Sequence, residues 1–91
     1  MKKIILIGAG GHAKACIDVI EEENKYKIIG IVEKLKTKKK FANYPIIGID
    51  KDLKKINKKC SNAIITVGQI KNLSLRASLF NNLISLGFNL A

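Results

Sequence analysis

The sequence predicts an α/β domain built on an open parallel sheet of βαβαβ topology, with helices on both faces. Short apolar runs alternate along the chain with stretches whose apolar residues recur at helical spacing. A cluster of glycines lies between the first apolar run and the first helical stretch. The 91 residues suffice for one small domain and leave no room for a second core.

Four strands are predicted, at Lys3–Ile7, Ile28–Val32, Pro45–Gly48 and Ala63–Val67. Their near-continuous β-branched runs suit strands that are covered on both faces, as in parallel sheets. The last residues, 88–91, read as the start of a further strand. We therefore expect the chain to be an N-terminal piece of a longer protein; the alternative is a terminal edge strand.

Three helices are predicted, at Gly11–Glu23, Asp50–Lys59 and Leu73–Leu86. Helical spacing in the first predicts a buried stripe of Ala13, Cys16, Ile17 and Ile20. In the third helix, the predicted stripe is Leu75, Leu79, Leu83 and Leu86, and Gly87 fits a helix C-cap. Helices between parallel strands imply right-handed crossovers.

The glycine segment after the first strand has the pattern Gly8-x-Gly10-x-x-Ala13. In such a turn Gly8 permits the bend, Gly10 lets a phosphate approach the backbone, and Ala13 lets the helix pack closely on the strand. Backbone N–H groups and the helix dipole then favour an anion. The pattern predicts a Rossmann-like site for a phosphate-bearing ligand, with a merely structural tight turn as the alternative.

Other candidate binding residues follow from their positions around this turn. Glu33 stands 25 positions beyond Gly8, near the spacing at which an acidic side chain meets ribose hydroxyls, although a surface carboxylate is the simpler interpretation. His12 would be a neutral ring at the helix start, able to bond a sugar or phosphate, or only a polar helix-start residue. Gly68 and Gln69 follow another strand and are expected at the same sheet edge.

Composition narrows the class of partner and the compartment. The net charge is +10, yet Arg76 is the only arginine and tryptophan is absent, so the lysines, including the 34–40 run, indicate a solvated surface more than a nucleic-acid site. Cys16 and Cys60 lie too far apart for a short metal motif and suggest neither a disulfide framework nor a catalytic nucleophile. No signal peptide or membrane-length apolar span is present, which favours a cytoplasmic protein without a membrane partner.

The opening MKKIILIGAGGHA resembles the start of the sialic-acid O-acetyltransferase family, the NeuD and PglD type of bacterial sugar acyltransferases. The resemblance continues through the segments IIGIVE, YPIIG, DKDL and IITVG, and ends in LGF. It extends over essentially the whole chain. The GxGGHA motif together with YPxxG and LGF is far more specific than the glycine pattern alone.

This resemblance implies that the chain is a domain that binds a nucleotide sugar or a sialic-acid-type sugar, in glycan or surface-polysaccharide biosynthesis. In the family, a C-terminal left-handed β-helix trimerises, binds acetyl-CoA and carries the catalytic histidine. We therefore expect this chain to hold no catalytic residue, metal or acetyl-CoA of its own. The implied substrate-binding residues are Gly8, Gly10, Gly11, His12, Glu33, Lys34, Gly68 and Gln69.

Two departures from the family pattern and two rival functions remain at this stage. Residues 36–41 are rich in lysine where family members are more mixed. The chain has Glu33-Lys34 where family members usually carry an Asp-Asp pair, a change that would alter nucleoside recognition. The first rival is a stand-alone NAD- or nucleotide-binding module without catalysis. The second is a structural remnant that binds nothing, and ligand binding distinguishes it from the others.

Overall fold

The structure is a computed structural model that describes residues 2–9, 11–33, 39–67 and 73–90. The described residues form six strands and three α-helices, and a 3-10 turn at Asp50–Asp52 leads into the second helix. In chain order these elements are β1 (Lys2–Ile7), α1 (Gly11–Glu23), β2 (Tyr26–Glu33), β3 (Lys40–Phe41), β4 (Tyr44–Ile49), α2 (Leu53–Asn57), β5 (Asn62–Ile65), α3 (Leu73–Ser85) and β6 (Asn89–Leu90).

The strands make one sheet in the order β3-β4-β2-β1-β5-β6. All neighbouring pairs are parallel except β3 and β4, which are antiparallel. From β1 the chain first adds strands on one side, β2 and then β4, and afterwards adds β5 and β6 on the other. The switch point of the topology therefore lies between β1 and β5, where the carboxyl ends of two adjacent strands open a crevice.

Both faces of the sheet are covered by apolar side chains, as the sequence predicts. Side chains alternate along β1, so Ile4 and Leu6 face one side while Ile5 and Ile7 face the other. On the first side the core is completed by Ala13, Ile17, Ile20, Ile28, Ile31 and Ile46. On the second side it is completed by Val32, Leu53, Ile56, Cys60, Ala63, Leu83 and Phe88. Helix α1 thus packs on one face, and α2 and α3 on the other.

Two elements differ from the sequence prediction. Strand β3 was not predicted; it pairs with β4 through a tight turn in which Ala42 and Asn43 both have positive φ, 49° and 71°. Such a hairpin turn favours Asn and Gly, and Ala42 gives no signal of it. The second helix is shorter than predicted, because residues 50–52 form a 3-10 turn and the α-helix ends at Asn57.

The predicted helix stripes are confirmed in part. Cys16 is half-buried at the edge of the stripe, and its expected place in the core is therefore wrong. Leu83 is buried, and Leu79 and Leu86 pack partly buried against the same core; the Leu75 side chain lies outside the described residues.

The described helices include none long and apolar enough to cross a membrane.

The predicted cap at Gly87 is confirmed. Gly87 has φ +95°, its N–H donates to the Ile84 carbonyl, and the N–H of Phe88 donates to the Leu83 carbonyl. This pair of bonds is a Schellman motif, which ends α3 and turns the chain toward the sheet. The following strand, β6, pairs with β5 and confirms the strand expected after Gly87.

Candidate glycine-turn binding site at the sheet switch point

The glycine turn lies at the switch point, between the end of β1 and the start of α1. Gly8 has φ +114°, a region that side chains rarely adopt. A Cβ added at Gly8 would lie 2.8 Å from the Val67 Cγ2 and 2.9 Å from the Val67 backbone nitrogen. The close approach of the chain after β5 therefore requires glycine here, in addition to the backbone conformation.

Hydrogen bonds fix this turn from both neighbouring strands. The Gly8 N–H donates to the Val32 carbonyl at the end of β2, over 2.8 Å. The Thr66 hydroxyl donates to the Gly8 carbonyl over 2.6 Å, and the Ala9 N–H donates to the Glu33 carboxylate. These three hydrogen bonds fix the conformation of the turn within the protein itself.

Sequence reasoning missed Thr66 and Val67 as parts of this site. Thr66 is 1% exposed, and its own N–H donates to the Ile7 carbonyl, so it continues the pairing of β5 with β1. The available signal was the position of a hydroxyl residue at the carboxyl end of a buried strand. That signal is weak, because threonine is also common inside strands for packing reasons.

The backbone donors of the turn divide into two groups. Those of Gly8 and Ala9 are bonded within the protein, to Val32 and Glu33. The first N–H groups of α1, beginning at Gly11, have no acceptor one turn back in the helix. Because α1 has no acidic residue in its first turn, these donors and the positive end of the helix dipole favour an anionic group.

His12 lies exposed in the first turn of α1. Its Nε2 is 3.7 Å from the Sγ of Cys16, one helical turn further along. The ring therefore lies over the next turn of α1, beside the start of an apolar groove, and its contact with a ligand stays a prediction.

The structure brings together only part of the predicted binding set. Gly8 and Glu33 meet at the turn through Ala9, and Gly11 and His12 begin the helix that follows. The other predicted binding residues, Gly10, Lys34, Gly68 and Gln69, lie outside the described residues. Within the described part of the chain, no group of three potential metal ligands occurs, and both cysteines are free thiols.

The YPxxG segment, residues 44–48, lies on β4 and makes structural contacts away from the glycine turn. The Tyr44 hydroxyl donates to the Glu21 carboxylate over 2.7 Å, which ties the end of α1 to β4. This contact raises the pKa of Tyr44 from 10.0 to about 12, first through the hydrogen bond and then through burial and the negative charge. Gly48 leaves room for the Asp52 carboxylate, which accepts the Ile49 N–H over 2.9 Å.

An open α/β sheet with a glycine turn at its switch point defines the class of Rossmann-like α/β domains. Within that class the chain belongs to the PglD N-terminal domain family, whose model matches residues 3–83. The match includes the glycine turn, Glu33 and Thr66. It confirms the resemblance that the sequence indicates.

Solved structures show the same fold. A variant of perosamine N-acetyltransferase from Caulobacter crescentus, in complex with CoA and GDP-perosamine, has a TM-score of 0.82 and 24% identity; the match covers 100% of this chain and 41% of that one. A second variant of this enzyme has a TM-score of 0.84. UDP-D-quinovosamine 4-dehydrogenase from Vibrio fischeri has a TM-score of 0.78 and 18% identity, over 98% of this chain and 75% of that one.

The chain spans 41% of the length of the acetyltransferase structures it matches. Curated protein sequences contain no match to the chain. The likeness to solved structures therefore establishes the fold, and the family model establishes the family.

Proposed function

We propose that this chain is the substrate-binding domain of an acetyl-CoA-dependent sugar O- or N-acetyltransferase, and that it binds a nucleotide sugar or a sialic-acid-type sugar. The observation that carries the proposal is the glycine turn at the switch point, held in place by Glu33 and Thr66 in a chain of the PglD N-terminal domain family. In this proposal the chain binds and orients the sugar. Acetyl-CoA and the catalytic residue belong to a further domain.

The charges at the turn suggest where each part of such a ligand would lie. The Glu33 carboxylate would repel a phosphate and suits a hydroxyl donor, such as a ribose. The first N–H groups of α1 favour the diphosphate. The nucleoside would thus lie on the β2 side of the turn and the diphosphate over the start of α1, with His12 available to the sugar or its phosphate.

A binding experiment tests the proposal directly. Isothermal titration of the 91-residue chain with UDP-sugars, GDP-sugars and CMP-sialic acid should give saturable heat for at least one of them. His12→Ala should weaken that binding, whereas Lys14→Ala, an exposed neighbour in the same helix, should leave it within about twofold. Absence of binding to every nucleotide sugar and to free sialic acid, titrated in the same way, would contradict the proposal.

A second candidate is a stand-alone NAD- or nucleotide-binding module. The position of Glu33 beside the glycine turn is compatible with it, because a carboxylate there suits the ribose of NAD as well as that of a nucleotide sugar. Titration with NAD distinguishes the two. Binding of NAD in the absence of any nucleotide-sugar binding would favour the module. A chain that binds neither NAD nor any of the sugars would favour the third possibility, a structural remnant that binds nothing.

A further inference from the structure

A cleft lies beside α2, on the face of the sheet opposite to α1. Its volume is about 490 Å³, within the range of about 300–1,000 Å³ that is typical of small-molecule sites. The residues that line it are Ile47, Asp52, Lys55, Ile56, Lys58 and Lys59. None of them belongs to α1 or to the glycine turn, so this cleft is separate from the site described above.

Two isoleucines form the apolar floor of the cleft. Ile56 of α2 is 8% exposed and belongs to the core, and Ile47 of β4 is half-buried against the same core. Gly30 of β2 makes this packing possible, because a Cβ at Gly30 would collide with the Ile47 side chain. Ile47 thus lies directly over Gly30, and its outer surface is available to an apolar group of a ligand.

Three lysines stand beside this floor. Lys55, Lys58 and Lys59 are three and four positions apart, a spacing that brings side chains together on one side of a helix. Helix α2 ends at Asn57. The next two N–H groups, of Lys58 and Lys59, still donate to carbonyls in the preceding turn, over 3.2 and 2.9 Å. The helical turn therefore extends through all three lysines, and their ammonium groups can reach one anion.

The charges around the cleft favour a doubly charged anion. Three ammonium groups line it together with one carboxylate, that of Asp52, which already accepts the Ile49 N–H. Nearby, exposed Asp50 opposes this positive charge, and exposed Lys51 and Lys54 reinforce it. Within the described part of the chain, none of the three lining lysines makes an ion pair. The helix dipole favours cations at this end of α2, but it does not account for the apolar floor beside them.

We propose that this cleft binds a phosphate monoester that has an apolar body. The three ammonium groups hold the phosphate, since lysine binds phosphate as a point charge. A phosphate monoester carries a charge of about −1.5 to −2 at pH 7, which matches the positive excess of the lining. The apolar body lies against Ile47 and Ile56. A soluble ester and a phosphate-bearing lipid share this chemistry.

Titration of the ¹⁵N-labelled 91-residue chain with monomeric octyl phosphate tests this proposal. The amide signals of residues 47 and 55–59 should shift and saturate. Inorganic phosphate should act on the same residues at least about tenfold more weakly, because it lacks the apolar body. Octyl glucoside, which is neutral, should not bind there. Shifts confined to the glycine turn, or no saturable shift at all, would overturn the proposal.

Two double variants separate this site from the general attraction of anions to a chain of net charge +10. Lys55→Gln with Lys59→Gln should weaken octyl phosphate binding at least about tenfold. Lys14→Gln with Lys25→Gln is the matched control, since it removes the same charge from exposed positions on and beside α1. The control should bind within about twofold of wild type, and an equal loss in both double variants would overturn the proposal.

The apolar floor has its own test. Ile47→Thr keeps a β-branched residue in β4 but places a hydroxyl on the floor of the cleft. It should weaken the binding of octyl phosphate and leave that of inorganic phosphate unchanged. An equal effect on both anions, or none on octyl phosphate, would contradict the role of Ile47.

Vesicles distinguish the two sources of the phosphate monoester. The chain is sedimented with vesicles that contain phosphatidic acid and, as the control, with vesicles of phosphatidylcholine alone. Cosedimentation only with phosphatidic acid, lost in the Lys55→Gln, Lys59→Gln variant, would support the site and assign it to a lipid headgroup. Octyl phosphate binding without cosedimentation would support the site and assign it to a soluble ester.

Discussion

The carboxylate of Glu33, at the end of β2, accepts a hydrogen bond from the backbone N–H of Ala9 in the glycine turn. The two residues are 24 positions apart in the sequence. The sequence predicts Glu33 as a contact to ribose, and the structure adds that it holds the turn. Both roles need an acceptor at this place, and a carboxylate has more than one acceptor site.

Removal of this acceptor should destabilise the turn. We expect Glu33→Ala to lower the free energy of unfolding by about 1–2 kcal/mol, because the half-buried Ala9 N–H loses a charged partner. Glu33→Gln should cost less, since its amide oxygen still accepts the bond. Urea denaturation measures both. Equal stability of Glu33→Ala and wild type would show that the bond contributes nothing.

Thr66 supports the same turn from β5. Thr66→Val keeps the side-chain volume but leaves the Gly8 carbonyl without the hydroxyl that donates to it over 2.6 Å. We expect a loss of about 1–3 kcal/mol, since the group is buried. The Gly8 carbonyl ¹³C shift should move in Thr66→Val and stay in Thr66→Ser, which retains the hydroxyl. A Gly8 shift that is unchanged in Thr66→Val would contradict this assignment.

Gly8 itself should tolerate no side chain. Gly8→Ala places a Cβ 2.8–2.9 Å from atoms of Val67 and strains a backbone with φ +114°. We expect the free energy of unfolding to fall by about 1–3 kcal/mol from the backbone strain, and further from the contact with Val67. Gly87→Ala is the comparison, because its φ is also positive but its nearest neighbour is a side-chain atom, the Asn57 Nδ2 that donates to the Leu86 carbonyl, and not backbone. A smaller loss at Gly8 than at Gly87 would contradict the role given to Val67.

The contact between Tyr44 and Glu21 should appear in the alkaline pH dependence of stability. Folding raises the pKa of Tyr44 from 10.0 to about 12, so the folded state holds the phenolic proton more tightly. The stabilisation is therefore complete below pH 10 and is lost as the pH rises toward 12. Tyr44→Phe should remove this component, measured as the difference from wild type in urea unfolding at a series of pH values.

The comparison with Tyr44→Phe is needed because the lysines titrate in the same range. Tyr26→Phe serves as a control for loss of a partly buried phenol and should keep the pH dependence of wild type. A Tyr44→Phe chain that loses stability between pH 10 and 12 as steeply as wild type would contradict the assignment.

Much of this fold was predictable because its signals are local. Apolar runs and helical spacing predict the parallel strands and three helices, and Gly87 predicts the end of α3. The hairpin of β3 and β4 was not predictable, since Ala42 adopts a positive φ for which its sequence gives no cue. The length of α2 was not predicted either: residues 50–52 form a 3-10 turn, in which the Asp52 carboxylate accepts the Ile49 N–H, and the α-helix ends at Asn57.

By itself, the sequence determined the α/β class, the glycine turn and the family, since these depend on residue types at short spacing. Tertiary structure decided what holds the turn, because Glu33 and Thr66 reach Gly8 and Ala9 only when β2 and β5 flank β1. It also decided that, among the described residues, one side of α1 lines an open apolar groove. Crossover direction places α2 and α3 together on the far face, and no pattern within α1 alone reveals which neighbours its apolar side lacks.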